Sequence, residues 1–239
     1  MRRPRHQAVA TVLAQMDPGR LRRCRCWFGG GTRIVLDLDE YRVSADLSFL
    51  VYEPHGYAEV RDLVRRRGVA ALFVPGSAIR FPPEPITDQY GVRFPVQLPG
   101  GEGGSPLKVE IVREARIELG DGVRPPWSSV DCLSEADAAA EKLLANSDRW
   151  LDASTLSRDL LDLAAARLAW GPLPAAAFEK AAAAYGPCVT SDLTRAAARF
   201  IEPERADYRR RCFLGLEVDA PERLLEGVRT IVSDLLAGT

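Results

Sequence analysis

Three consecutive glycines, Gly29-Gly30-Gly31, stand between the aromatic pair Trp27-Phe28 and an apolar run holding Ile34, Val35 and Leu38. Few junctions suit such a triplet. Glycine costs entropy inside a helix or strand and is favoured where the backbone turns or must be approached closely. Phe28-Gly29-Gly30-Gly31-Thr32 therefore reads as a turn that passes an incoming extended segment into a helix beginning at Thr32. Asp39 and Glu40 close that helix. Residues 42–52 follow as a strand, and Leu47, Phe49, Leu50 and Val51 mark it as buried. Extended segment, glycine turn, helix and buried strand together require a sheet with helices packed on it.

Ahead of the turn, Val9, Val12, Leu13 and Met16 recur at three-and-four spacing, so 6–16 reads as a short helix that Asp17-Pro18-Gly19 ends. A helix over 57–67 turns Val60, Leu63 and Val64 inward and Arg61, Arg65, Arg66 and Arg67 outward. Ala70 to Val74 reads as a short strand. Phe81-Pro82-Pro83-Glu84-Pro85 cannot be helix interior, because proline lacks the N–H. Residues 90–98 and 107–119 read as strands joined by the flexible tip Pro99-Gly100-Gly101-Glu102-Gly103-Gly104. In Lys108-Val109-Glu110-Ile111-Val112 polar and apolar residues alternate, so Lys108 and Glu110 share one sheet face.

Pro125-Pro126-Trp127 marks a boundary, after which the composition turns to Ala and Leu. Ser134-x-x-Asp137 is a capping box for a helix over 135–145. A longer helix runs from Ser154 to Trp170. Residues 176–185 and 189–201 form two more, split by Gly186-Pro187, and 207–214 forms another. Asp219-Ala220-Pro221-Glu222 opens a last helix whose buried face is Leu224, Leu225, Val228, Ile231, Val232 and Leu235. The expected architecture is an α/β (α+β) domain with a small mixed sheet over 1–130. An all-helical bundle over 131–239 follows, and completes a cleft with the first domain.

A formal charge of −1 excludes a uniformly basic nucleic-acid coat. The cations cluster instead: Arg2, Arg3, Arg5, Arg20, Arg22, Arg23 and Arg25 face the single acid Asp17 within the first 26 residues, and Arg209-Arg210-Arg211 recur late. Both clusters suit a phosphate backbone, and equally a solvated helix face. Cys24-x-Cys26 has the wrong spacing for a zinc knuckle, and His6 and His55 lie far from any cysteine pair. An odd count of 5 cysteines and no signal-peptide pattern point to free thiols in a reducing cytoplasm. No apolar run reaches the roughly 18 residues of a membrane helix. There is no internal repeat and no low-complexity block.

Backbone N–H groups at a helix N-terminus hold phosphate oxygens well, and glycines let the phosphate come close. Thr32 adds a hydroxyl to the turn. Nucleotidyl transfer also needs carboxylates that carry divalent metal between the attacking oxygen and the α-phosphate. Asp46 on the strand after the helix and Glu110 on another strand are the candidates. Each piece has a plain structural reading: a turn, a surface acid, a solvent-facing hairpin residue. Their order and spacing make the set specific.

Phe28-Gly29-Gly30-Gly31-Thr32, followed by Tyr41-Arg42-Val43-Ser44-Ala45-Asp46-Leu47-Ser48-Phe49-Leu50, resembles the AbiEii/MenT family of toxin nucleotidyltransferases, within the DNA polymerase β-like nucleotidyltransferase superfamily. Lys108-Val109-Glu110-Ile111-Val112-Arg113-Glu114 resembles the strand bearing that family's third carboxylate. Glu141-Lys142-Leu143-Leu144-Ala145 and Ser157-Arg158-Asp159-Leu160-Leu161-Asp162-Leu163-Ala164 resemble its helical lysine motif and its [Lys/Arg]-Asp-x-x-Asp motif. The resemblance runs from about residue 8 to the C-terminus, nearly the whole chain. It implies that Gly30, Gly31 and Thr32 cradle the triphosphate of an NTP, with Ser44, Arg158 and Asp162 also at the nucleotide. It implies that Asp46 and Glu110 bind Mg²⁺ or Mn²⁺, that Lys142 neutralises phosphates, and that Asp159 acts near the nucleotide or as a base. Asp159 and Asp162, three apart, lie on one helix face independently of any resemblance; the plain reading of both, and of Arg158 and Lys142, is a solvated polar face.

The implied activity is NMP transfer from an NTP to an RNA acceptor, the 3′ end of tRNA, by a toxin of a type IV-like toxin–antitoxin or phage-defence system, blocking translation. A cognate antitoxin is implied, acting by sequestration or by phosphorylating Ser44 or Thr32. The chain departs from the pattern at Ser48, where the second strand acid belongs, and a hydroxyl is a poor Mg²⁺ ligand. One metal suffices, held by Asp46, Glu110 and the substrate's phosphates, or another acid such as Glu114 substitutes, or the enzyme is weakened or dead. Alternatives are therefore a degenerate NTP- or RNA-binding module and a small-molecule nucleotidyltransferase.

Overall fold

The structure is a computed structural model that describes residues 1–81, 84–101 and 104–237. The chain clusters into two compact units, one of Met1–Asp37 with Ser44–Ser134, the other of Leu38–Val43 with Glu135–Thr239. Unlike a single cut along the chain after residue 130, this division assigns the short segment 38–43 to the helical unit.

The first unit is a five-stranded sheet in the order β1-β2-β5-β4-β3, with β1 Cys26–Gly29, β2 Leu47–Val51, β3 Ile86–Thr87, β4 Gly91–Val96 and β5 Leu107–Arg113. β2 and β5 run parallel and every other pair is antiparallel, so the sheet is mixed as expected. Helices α1 Pro4–Gln15, α2 Pro18–Arg23, α3 Gly30–Asp37 and α4 Pro54–Arg67 belong to the same unit. Its core joins Val9, Val12 and Leu13 of α1 to Phe28, Phe49, Val109 and Ile111 of the sheet and to Tyr57, Val60 and Val64 of α4.

Several boundaries differ from the sequence reading. Asp17-Pro18 ends α1 but also starts α2: the Asp17 carboxylate accepts from the Arg20 N–H at 2.9 Å and Pro18 takes the first turn, where no N–H is needed. Residues 70–74 are no strand. Val69–Leu72 is a 3₁₀ turn, and Phe73 makes only an isolated bridge to Met16. The strand expected over 42–52 is confined to Leu47–Val51, and the one expected over 107–119 ends at Arg113. Pro99–Gly101 forms a 3₁₀ turn with Gly100 in the left-handed region; Glu102 and Gly103 of the expected tip, and Pro82-Pro83, lie outside the described residues.

The second unit is helical: α5 Glu135–Arg149, α6 Arg158–Trp170, α7 Ala175–Tyr185, α8 Cys188–Ile201, α9 Ala206–Gly215 and α10 Pro221–Ala237. α6 begins later than Ser154. Ala153–Thr155 is a 3₁₀ turn, and Leu156 and Ser157 take φ of 55° and 51° before the helix starts. α10 crosses α6 at Gly227, where an added Cβ would lie 2.7 Å from the carbonyl oxygen of Ala164. The segment 38–43 is held in this unit by backbone bonds, Val43 N–H to Leu216 O at 2.9 Å and Asp219 N–H to Tyr41 O at 3.0 Å. Among the described residues no helix is long and apolar enough to cross a membrane.

Gly227→Ala is expected to lower stability by about 1–3 kcal/mol through forced separation of α6 and α10. A fall in the urea midpoint of the helical circular-dichroism signal checks it; an unchanged midpoint means the crossing is looser than drawn.

Candidate functional site

The glycine turn delivers α3 where the sequence places it. Gly30 has φ +68°, and a Cβ there would meet the Ser48 Cβ at 3.0 Å and its hydroxyl at 3.2 Å. Both the sign of φ and the space therefore require glycine. The register lays Gly29, Ser48, Glu110 and Arg93 side by side across β1, β2, β5 and β4. At the start of α3, Thr32 is buried and its hydroxyl is 2.8 Å from that of Ser44. The Ser44 N–H donates to Nε2 of buried His6 at 3.2 Å. The far end of α3 is anchored by Asp37, which accepts from Trp127 Nε1 at 2.9 Å and pairs with Arg33 at 3.3 Å.

Asp46 is exposed and lies just before β2, not within it. Glu110 is half-buried and already paired, with Lys108 Nζ at 2.7 Å and Arg93 Nε at 3.5 Å. Lys108 does share its face, as alternation requires. Glu114 cannot stand in for the missing acid. It is 2% exposed and its carboxylate is consumed by the Arg116 side chain at 2.7 and 3.0 Å and the Arg116 N–H at 2.6 Å.

In the helical unit, Lys142, Asp159 and Asp162 come together, but not on a solvated face. Lys142 Nζ lies 2.8 Å from Asp159 and 2.6 Å from Asp162, with exposures of 6%, 3% and 0% respectively. Two further cations complete the cluster, and the sequence reading missed both. Arg42, in the 38–43 segment, grips Asp162 with two bonds of 2.7 and 2.9 Å, and Tyr41 donates to the same carboxylate at 2.5 Å. Arg149, at the end of α5, grips Asp159 with bonds of 2.7 and 3.0 Å. Arg149 had no motif to announce it; Arg42 stood inside the Tyr41–Leu50 stretch but was given no role. Arg158 opens α6 half-buried and, among the described residues, makes no hydrogen bond or ion pair within this network.

Burial pushes the Asp159 carboxyl up, but Lys142 and Arg149 more than reverse that and hold it well below the usual carboxylate range. Asp162 is treated alike: burial raises it, Arg42 and Lys142 lower it further than that, and Asp159 opposes them. Burial, then the neighbouring Asp162 charge, drive the Tyr41 phenol well above its ordinary value. Asp159 is therefore a permanently ionised partner of two cations, with little capacity to take a proton.

A profile of the family described as "Nucleotidyl transferase AbiEii toxin, Type IV TA system" matches residues 12–231. The chain belongs to the AbiEii family of nucleotidyl transferase toxins. Two solved structures from Helicobacter pylori share its fold. A candidate nucleotidyltransferase aligns with 16% identity and a TM-score of 0.56 over 98% of this chain and 96% of that one. The protein JHP933 aligns with 17% identity and a TM-score of 0.59 over 98% and 93%. No curated protein matches the chain. AbiEii membership brings with it an NTP substrate and an antitoxin partner.

Against that membership the donor set for metal is sparse. Among the described residues no group of three or more His, Cys, Asp or Glu is arranged to hold an ion. Asp46 and Glu110 are the two carboxylates near the glycine turn, and Ser48 occupies the register position beside Glu110. Mg²⁺ is commonly held by one or two carboxylates with substrate phosphates filling the rest. Asp46, exposed, and Glu110, paired with Lys108 and Arg93, offer at most the two carboxylates of one such ion, and the described residues supply no set for a second.

Lys142→Met strips the ammonium from both buried carboxylates and should cost about 3–5 kcal/mol at neutral pH. The folded-state pKa values of Asp159 and Asp162 are depressed. Their stabilisation is thus fully present above the unfolded value near ~3.9 and fades as pH falls below it. The gap in melting temperature between wild type and variant should be widest at neutral pH and shrink below about pH 4; a gap that is the same at both pH values contradicts the pairing.

Proposed function

We propose that the chain transfers NMP from an NTP to an RNA acceptor, the 3′ end of tRNA, in the cytoplasm, and so blocks translation as a toxin. The observation that carries this is the packing of Gly30 onto Ser48, which opens the N-terminal turn of α3 beside Glu110, in a chain of the AbiEii family. The first N–H groups of a helix have no partner inside it and suit phosphate oxygens. In this reading Gly30 and Gly31 offer those groups, and the Thr32–Ser44 hydroxyl pair adds hydrogen bonds to the triphosphate.

The bond formed joins the acceptor hydroxyl oxygen to the α-phosphorus, the bond broken is that from the α-phosphorus to the bridging oxygen of the departing pyrophosphate, and the hydroxyl proton leaves to solvent. Asp46 and Glu110 would hold a single Mg²⁺ or Mn²⁺ together with substrate phosphates; when bound, it offsets phosphate charge at the reacting centre. Lys108 balances Glu110, and Arg93 is shared between Glu110 and Asp88, so this side of the sheet carries no net negative charge from these groups. In this reading Arg158 serves nucleotide recognition, whereas Lys142 and Asp162, buried and paired with each other, act by ordering the helical unit and not by touching the ligand. Asp159, its oxygens filled by Lys142 and Arg149, acts by positioning those cations and not as a base. The antitoxin acts on the Ser44–Thr32 pair by phosphorylation. Ser44 is the better target because Thr32 is buried.

A second reading, a degenerate NTP- or RNA-binding module, is favoured by Ser48 alone. Purified protein with labelled NTPs and divalent metal should label tRNA, and Asp46→Ala should reduce labelling at least about 100-fold, the scale of losing one electrostatic element of such a site. No labelling with any NTP sinks the transferase reading. Ser48→Asp separates the alternatives: a large gain from near zero indicates decay, and little change indicates a working single-ion site. A mass gain of one phosphate on Ser44 after co-expression with the antitoxin supports modification; a stable unmodified complex points to sequestration.

A further inference from the structure

The helical unit contains a cavity of about 100 Å³ that the family motifs enter only through Ser157, Asp159 and Leu160. It is lined by the end of α5, the 151–157 loop, the start of α6, the end of α8, the 3₁₀ turn Pro203–Arg205 and α9. Four arginines converge there: Arg149, Arg199, Arg205 and Arg211. Arg149 is neutralised by Asp159. Among the described residues Arg199, Arg205 and Arg211 have no carboxylate within ion-pair distance. Guanidinium groups brought together with only Asp159 among them repel one another, and an anion bridging Arg199, Arg205 and Arg211 would relieve that repulsion.

A second observation points the same way. Asn146 lines the cavity at 2% exposure, and its side-chain Nδ2 has no hydrogen-bond acceptor. A buried amide donor left unpaired costs about 1–3 kcal/mol, which an incoming oxygen would recover. The remaining wall is aromatic. Trp150, Phe200 and Tyr208 line it, with Phe200 and Tyr208 edge to face at 6.3 Å. Tyr208 is fixed by its hydroxyl contact with Ser157 at 2.9 Å, and Arg211 lies 5.7 Å from its ring centre. The loop reaches this position only through two successive left-handed residues, Leu156 and Ser157, a backbone cost that non-glycine residues bear where the surroundings demand it. The triplet Arg209-Arg210-Arg211 is not a uniform basic face. Arg209 caps the end of α8 through the carbonyls of Phe200 and Glu202, while Arg211 is turned to the cavity.

Arginines for a phosphate, an unpaired amide donor and aromatic faces for a base make up the chemistry of a nucleotide unit. We propose that this cavity is a second nucleotide-binding site, separate in residues from the glycine turn, and that it takes a residue of single-stranded RNA, its phosphate on Arg199 and Arg205 and its base against the aromatic wall. The site deepens the transferase reading by giving the acceptor a seat, and rests on that reading only for the acceptor being RNA. A free nucleotide shares this chemistry, so the test must separate the two sources.

The test uses the full chain without NTP or divalent metal. An end-labelled short single-stranded RNA is titrated by fluorescence anisotropy across a salt series, and ATP is titrated separately by calorimetry. Arg199→Gln/Arg205→Gln should weaken RNA binding by about tenfold or more, from loss of charge-assisted bonds, and flatten the salt slope by about 1 for each arginine. ATP affinity should hold. Arg199→Lys/Arg205→Lys should restore the slope, which a merely structural role would not predict. Asn146→Leu, which keeps every charge, should weaken RNA binding without altering the slope. Unchanged RNA affinity and slope in glutamine variants that melt like wild type overturn the proposal. Loss of ATP binding with RNA binding intact overturns the assignment to RNA and gives the cavity to a free nucleotide. Because RNA affinity is read without any transfer, an inactive transferase leaves this result interpretable, and a failed cavity leaves the labelling assay standing.

Discussion

Buried charge in the helical unit is the constraint on which most of the rest depends. Arg42, Asp162, Lys142, Asp159 and Arg149 form one continuous chain of ion pairs, nearly all of it out of water. Each carboxylate has two cationic partners, so neither can lose one cheaply. Two charges taken from water repay their desolvation only with good geometry and further hydrogen bonds; the two-pronged grips of Arg42 and Arg149 and the Tyr41 hydroxyl supply them. The cluster fixes three separate stretches of sequence at once: the 38–43 segment, α5 and α6. In doing so it also sets Arg149 and Asp159 into the wall of the arginine-lined cavity.

The α/β unit is ruled by a different constraint, the close approach of backbone to a neighbouring strand. Its means are steric. Gly30 lies on Ser48 with no room for a side chain, and the parallel pairing of β2 with β5 sets Ser48 next to Glu110. Here Ser48 has a consequence beyond one missing ligand. With a second carboxylate at that register position, Glu110 would sit next to a like charge. With serine there, Glu110 is instead balanced by Lys108 and Arg93. The charge on this face of the central strands is thereby less negative than an acid at position 48 would make it, which disfavours a second divalent ion there.

Arginine does most of the electrostatic work in this chain, and in three distinct ways. Arg22 and Arg124 converge on Asp131 and so fold the early basic segment back into structure, leaving less of it free for nucleic acid than its sequence suggests. Arg42 and Arg149 are buried partners of acids. Arg199, Arg205 and Arg211 have no acids and face a cavity. The guanidinium group allows all three uses because it stays charged when buried and presents a planar fork of donors.

Much of this was legible along the chain. The glycine triplet before an apolar run gave the turn and α3, the period-two alternation of 108–112 put Lys108 and Glu110 on one face, and the three-residue spacing of Asp159 and Asp162 put them together. These are local properties, decided by backbone sterics and by the repeat of a single element. What only the tertiary structure decided was the company those residues keep. The spacing of Asp159 and Asp162 is the same for a wet face as for a buried one, and it took Arg42 and Arg149, distant in sequence, to make burial affordable. Likewise nothing in the separate positions of Asn146, Arg199, Arg205 and Tyr208 says that they share a cavity. Charge pairing and cavity formation depend on distances through space, which a linear order of residues constrains only where neighbours in the chain are also neighbours in the fold.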